Sequence, residues 1–216
     1  GGTNTTIINK DGNVEDIAGT TPRIDFENGT GEILSEQSRT NYLKATENSD
    51  IITSSYWNTS GTGLYAGSTR ALVNPRGVSQ TFRSYYFYGS ASVQNIIQGT
   101  TSASTYGLAA SAWVYVTRSD PGTTSTVDIG IIGHAGSPAS HTVPVGTWTR
   151  ISFTRGPGLN TAGIYLYSPG ATLSIWGTQL ERSFKISETG RVSSYIPSTG
   201  TGSTTRSREN YTKTGI

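Results

Sequence analysis

An all-β architecture, an antiparallel sandwich of turn-linked strands, is what this sequence predicts, and three observations carry it. Apolar and polar residues alternate at period two in segment after segment, bounded by Gly, Pro, Asn and Asp, while a 3.6-residue period is almost absent. Charged residues make up only 14% of the 216 positions and 27 are glycine, too few charges and too many turn formers for helix surfaces. The connections are short and turn-rich, as in a sandwich.

The clearest strands are GLAASAWVYVT (107–117), VDIGIIG (127–133), GTWTRISFTR (146–155), AGIYLYS (162–168) and ATLSIWGTQLER (171–182). In TWTRISF, strict alternation puts Ile151 and Phe153 on one face and Trp148 on the other unless a bulge intervenes. In ATLSIWGTQLE, Leu173, Ile175 and Gly177 share one face, with Trp176, Thr178 and Leu180 on the other, so this strand is read as central. Upstream, residues 5–13, 22–34 and 68–89 each read as strand, turn, strand, with ENGTGE as the hairpin turn of the second. The Ser/Thr/Gly-rich stretch 194–216 has no apolar period and reads as a linker or an arm that packs on a neighbour. The expected organisation is an N-terminal arm at 1–21, a sandwich at 22–193 and a C-terminal arm at 194–216.

Composition removes several function classes. Sixteen basic against fourteen acidic residues leave a net charge of +2 with no basic cluster before the last quarter, which argues against nucleic-acid binding by phosphate neutralisation. No apolar stretch approaches the roughly 18 to 20 residues of a membrane helix, so no membrane insertion is expected. The absence of cysteine removes disulfides, thiolate nucleophiles and thiolate metal sites. The absence of methionine, an initiator included, predicts a segment or processed product of a longer chain.

Catalytic constellations are not evident. His134 and His141 lie seven apart in the Gly/Ser/Pro-rich loop HAGSPASH, without a metal-ligand spacing, and read as exposed turn residues. No G-x-S-x-G turn leads into a helix, so a Ser-His-Asp triad has no recognisable seat. Asp25 and Glu27 share a face if RIDFEN is a strand, where structural hydrogen bonding, or an incidental calcium on oxygen ligands, suits them better than acid–base work. No cofactor is implied, and no enzyme.

Aromatic residues are more informative, because flat rings match the C–H face of a sugar in shape and polarity. There are 4 Trp, 12 Tyr and 5 Phe. Tyr56 and Trp57, with Asn58 beside them in SSYWNTSGTGLY, are flanked by polar and turn residues and read as exposed. In RSYYFYG, Tyr85 and Phe87 take one face and Tyr86 and Tyr88 the other, so one pair is free to be exposed. Trp113, Trp148 and Trp176 sit inside strong strands and read as core. The candidate ligand-binding residues are therefore Tyr56, Trp57, Asn58, Tyr86 and Tyr88.

Three blocks in order, PRIDFENGTGEILSEQSRTNYL (22–43), GTWTRISFT (146–154) and SIWGTQLERSFKISETGRVSSYIPSTGTGSTTRSREN (174–210), resemble a family of bacteriophage and prophage tail-fibre or virion-surface proteins. That family runs from "PRIDY…ARTNLL" through a carbohydrate-binding-module-like sandwich to "IWGAQLE…TSYIPT…TRAAD". The parallels here are RIDF, SRTNYL, IWGTQLE, SSYIPSTG and TRSREN. The insert before SSYIP is longer than usual, and residues 51–107 have no clear counterpart.

The resemblance implies a jelly-roll, lectin-like sandwich on a virion surface, acting as a non-catalytic glycan-binding module beside other virion proteins, in a homo-oligomer such as a trimer. Its motif residues read as architecture: Arg39 and Asn41 pin the N-terminal segment, and Gln179 and Glu181 tie the last strand to it. The alternatives are a structural adaptor or decoration domain and a polysaccharide-degrading enzyme on the same sandwich.

Overall fold

Alternating apolar residues between glycine and asparagine turns build sixteen strands and no helix among the described residues of the computed structural model. Those residues are 5–17, 23–27, 29–34, 36, 38–44, 46–47, 58–60, 64–87, 95–104, 107–119, 124–131, 137–156, 159–168, 170–183, 193–198 and 204–206. In chain order the strands are β1 (Thr5–Ile8), β2 (Val14–Ile17), β3 (Arg23–Asp25), β4 (Glu32–Leu34), β5 (Arg39–Asn41) and β6 (Asn58–Ser60). There follow β7 (Leu64–Val73), β8 (Ser79–Phe87), β9 (Asn95–Ser104), β10 (Gly107–Ser119) and β11 (Thr124–Ile131). The last are β12 (Ala139–Pro144), β13 (Trp148–Arg155), β14 (Leu159–Tyr167), β15 (Ala171–Ser183) and β16 (Thr204–Arg206).

Two five-stranded antiparallel sheets, β13-β10-β15-β8-β7 and β12-β11-β14-β9-β6, form the sandwich. Strands β8 to β11 and β12 to β15 alternate between the sheets, the crossing pattern of a jelly roll. The inner faces meet in one core, with Ala112, Val114, Val116, Ile151, Leu173 and Ile175 from the first sheet against Val127, Ile129, Ile131, Val143, Ile164 and Leu166 from the second. All five segments read as clear strands are strands, and the three strand-turn-strand readings are the hairpins β1–β2, β3–β4 and β7–β8.

Strand β13 pairs with β10 without a break, so Ile151 and Phe153 face the core while Trp148 faces outward, as strict alternation requires. Strand β15 departs from that rule. Leu173 and Ile175 point inward and Trp176 outward, yet Leu180, expected beside Trp176, lies in the core with Leu173. The register against β10 shifts between Ser111 and Trp113, and Gly177 sits at φ 61°. A bulge with a left-handed glycine adds one residue and inverts the side-chain phase after it. Gly177 N–H, turned away from β10, donates to Thr46 O at 2.8 Å.

The first sheet curls toward its outer side. In a flat sheet, edge strands β13 and β7 would lie four spacings apart, about 19 Å. Here Trp148 Nε1 on β13 donates to Val73 O on β7 at 2.8 Å, and the Phe82 and Trp148 rings stand 5.1 Å apart. The reason is visible in the pairing: among the described residues β8 pairs in register with β15 only at Tyr85 and Tyr86, so the rest of the β7–β8 hairpin swings over the outer face. Ile8, Val14, Phe82, Trp113, Trp176 and Tyr195 fill the hollow. Residues from the stretches expected as N- and C-terminal arms therefore pack in one cluster with the central strands.

A side chain at Gly177 should be costly on two counts: the left-handed φ, and a Cβ only 2.8 Å from Trp113 Cδ1. Gly177→Ala is expected to lose about 2 to 4 kcal/mol in chemical denaturation. Gly170→Ala, also at positive φ but with nothing within 4 Å of its Cβ, should lose about 1 kcal/mol, the conformational part alone.

Candidate functional site

The residues that carry the sequence motifs meet in one place, and what they build there is a clasp. Past the bulge, β15 has β10 on one edge and, among the described residues, no sheet strand on the other. The buried Asn41 carboxamide fills that edge: Nδ2 donates to Thr178 O at 3.1 Å and Ile196 O at 2.8 Å, and Oδ1 accepts from Leu43 N and Leu180 N at 3.1 Å each. All four hydrogen-bonding sites of the amide are used. Gln179 does the same for the SSYIP segment, with Oε1 accepting from Ile196 N at 2.7 Å and Nε2 donating to Ser193 Oγ at 3.1 Å. Glu181 accepts from Ser193 N at 2.7 Å and Ser193 Oγ at 2.6 Å, while Arg39 donates to Arg182 O. Arg39 and Asn41 thus pin the N-terminal segment to β15 as expected, whereas Gln179 and Glu181, expected to tie the last strand to that segment, hold Ser193–Ile196 instead.

A charged layer closes the clasp. Glu36 Oε2 accepts from Arg23 at 2.6 Å and Arg206 at 2.8 Å, both guanidiniums being buried, and its Oε1 takes Ser194 N at 2.8 Å. Arg23 also donates to Thr6 O at 2.9 Å, which brings in the first strand. Burial alone would push the Glu36 carboxyl up, but Arg206, Ser194 and Arg23 outweigh it and hold it below its usual range. Glu181 goes the other way: burial raises its pKa against the bonds from Ser193. Burial likewise lifts the Tyr195 phenol well above its usual value. The oxygens of these groups are engaged inside the clasp: Glu181 Oε2 accepts from Ser193 Oγ and Gln179 Nε2, and the Tyr195 hydroxyl meets Thr46 Oγ1 at 2.8 Å.

Of the candidate binding residues, Tyr56, Trp57 and Tyr88 lie outside the described residues. Asn58 begins β6, its backbone paired with Ile97 of β9. Tyr86 is half-buried on β8. Its register partners are Tyr65 on β7 and Thr172 on β15, which puts all three on one face. Phe82, two alternations along β8 from Tyr86, points into the hollow, so this is the concave face of the curled sheet. Tyr65 is 61% exposed there. Tyr115, half-buried in register with Ser174, continues the face and tilts against Trp148 at 5.4 Å. Phenol rings and the Thr172 hydroxyl give this face stacking planes and hydrogen-bonding edges, and the exposed Arg70, in register with Phe82, stands on it as well. Tyr65 was hidden in the sequence because Gly61, Thr62 and Gly63 precede it and gave it the look of a loop residue.

The acid–base and metal candidates resolve structurally. His141 is not a loop residue: it sits within β12, paired with Val127, and its Nε2 lies 2.8 Å from Ser152 O on β13. Pro138 and Pro144 bracket a short strand that the surrounding turn formers concealed. His134 lies outside the described residues. Asp25 accepts from Ile8 N at 2.5 Å, and burial raises its pKa, while Glu27 is exposed and meets Arg150 at 3.3 Å. Among the described residues no three His, Asp or Glu side chains gather as a metal site would need.

The Glu36 geometry gives a pH signature. A carboxyl lowered by folding stabilises fully above its ordinary value near 4.5 and loses that contribution as pH falls through its lower folded value. Glu36→Gln should cost about 3 kcal/mol at neutral pH, because two buried guanidiniums lose their counter-charge. In thermal or urea unfolding followed from pH 7 downward, the gap between wild type and variant should narrow once pH drops below about 4.5. A gap independent of pH would show that the Glu36 charge contributes nothing.

No protein-family model and no curated protein matches the chain. Solved structures with a similar course include the CBM22-1–CBM22-2 tandem domain of Paenibacillus barcinonensis Xyn10C, at TM-score 0.49 and 11% identity over 70% of this chain and 49% of that one. The CBM22-1 xylan-binding domain of the same protein gives 0.44 and 9%, covering 68% of this chain and 94% of that one. The enzymatically active domain of a bacteriophage CBA120 tailspike protein gives 0.42 and 14%, over 66% of this chain and 21% of that one.

Proposed function

We propose that the chain is a non-catalytic glycan-binding module of a phage fibre or virion-surface protein, exposed outside the cell and adhering to bacterial or environmental polysaccharide. The observation that carries the binding reading is the exposed Tyr65 in register with Tyr86 and Thr172 on the concave side of a curled sheet. Stacking on such rings gives contact area at low entropic cost, whereas hydroxyl hydrogen bonds mostly trade against water. The virion setting rests on the order and spacing of RIDF, SRTNYL, IWGTQLE, SSYIP and TRSREN.

Binding of the whole chain to a glycan array tests the reading. Tyr65→Ala and Tyr86→Ala should each weaken the best glycan by about 1 to 3 kcal/mol, roughly 5- to 150-fold. Tyr65→Ala should leave thermal stability within about 0.5 kcal/mol of wild type, since that ring is exposed. Trp57→Ala extends the same test to the segment before β6. Incubation with bacterial surface polysaccharide should release no oligosaccharide; depolymerisation abolished by a single carboxylate substitution would overturn the non-catalytic reading.

One feature favours a structural adaptor as the second reading. Ile24 and Ile33 face each other across β3–β4 at 48% and 73% exposure, an apolar pair suited to a protein contact. A chain that binds no glycan but loses self-association on Ile33→Ser would favour the adaptor.

A further inference from the structure

The two sheets differ in charge. The strands of the first carry Arg70, Arg83, Arg118, Arg150, Arg155 and Arg182 against Glu181. The strands of the second contain no Lys, Arg or Glu, and Asp128 on β11 is their one carboxylate. Asp128 alternates with the core residues Val127 and Ile129, so it stands on the outer face. On the same face Gly130 pairs with Tyr165 of β14. A Cβ at Gly130 would come within 2.5 Å of both Cε1 and Oη of Tyr165, so the outer half of the ring lies down over the glycine. A ring in that position turns its second face to solvent, and Tyr165 is accordingly half-exposed.

Beside the ring, Asp128 Oδ1 accepts from Ser140 Oγ at 2.6 Å, and Oδ2 has no hydrogen-bond partner among the described residues. Burial and the nearby Asp128 charge both raise the Tyr165 hydroxyl pKa, which keeps it a neutral donor. A flat apolar plane next to an anionic acceptor with an open oxygen, on a sheet without lysine or arginine, is complementary to a sugar ring that bears donors or a positive charge. It repels carboxylated sugars.

We propose that the outer face of the β12-β11-β14-β9-β6 sheet is a second saccharide subsite, in which a pyranose stacks on Tyr165 and donates to Asp128, with amino sugars favoured over uronic acids. The ligand class rests on the glycan-binding reading above; the place does not, because it lies on the opposite sheet from Tyr65 and Tyr86.

The test uses the full chain and three probes, the hexamers of glucosamine, glucose (cellohexaose) and galacturonate, titrated by calorimetry. The Tyr65→Ala/Tyr86→Ala double variant, which removes the first face, should still bind the glucosamine hexamer with a measurable Kd. Adding Asp128→Asn, which keeps size and shape, should weaken it at least about tenfold, and Tyr165→Ala should do the same while Tyr165→Phe retains binding. Galacturonate should not bind the double variant. If Asp128→Asn leaves the glucosamine Kd unchanged, or wild type does not bind this probe, the subsite is overturned. If Tyr165→Ala lowers only the melting temperature, the ring merely covers the glycine gap in the sheet and the proposal fails. Binding lost entirely in the Tyr65→Ala/Tyr86→Ala double variant would retain the first face and reject the second. Binding retained there and lost with Asp128→Asn would do the reverse.

Discussion

The structure depends on satisfying one exposed strand edge in the middle of the molecule. β15 is the central strand of the first sheet, and beyond Gly177 its second edge pairs with no strand among the described residues. An unpaired edge there would leave backbone groups buried without partners, at a cost of about 1 to 3 kcal/mol each. The chain covers it with segments from both ends of the sandwich. Thr46 O takes Gly177 N, and Asn41 supplies an amide where a neighbouring strand would supply a peptide. The charged layer of Glu36, Arg23 and Arg206 then binds these covering segments to one another.

This explains why the motif residues form an architecture rather than a reaction site. RIDF contributes Arg23 and Asp25, SRTN contributes Asn41, TQLE contributes Gln179 and Glu181, and SSYIP contributes Ser193 through Ile196. Arg23, Asp25, Asn41, Gln179 and Glu181 each hold a polar side chain against a specific backbone group, which tolerates little change. The exposed Tyr65 ring stands outside this network, and Asp128 commits only Oδ1, to Ser140 Oγ of the neighbouring strand.

Much of the sandwich was legible because period-two alternation is a direct imprint of a half-buried strand, as in GTWTRISFTR. What was missed follows from local effects that alternation does not encode. Leu180 was assigned to the wrong face because the phase change hangs on one glycine whose φ the sequence does not announce. β9, NIIQGTTSAS, has few apolar residues and no alternation, and it is held by pairing with β14. β12 hid among turn formers. Of the binding face, Tyr86 was readable from RSYYFYG, but its partners Tyr65 and Thr172 are neighbours only through strand register, which depends on the whole topology.

The clasp also dictates an order of assembly. Its bonds join residues far apart along the chain: Thr6 to Tyr195, Arg23 to Ser194, Glu36 to Arg206 and Asn41 to Ile196. Contacts of such sequence separation carry the full entropic cost of closing nearly the whole chain into a loop, and they cannot form until the strands between them have collapsed. The hairpins β7–β8 and β11–β12 close locally and early. The central strand of the first sheet must then wait with half its edge open until the last segment arrives. During that interval β15 is a template for any extended chain nearby, so the fold is most exposed to strand exchange between copies in its final step.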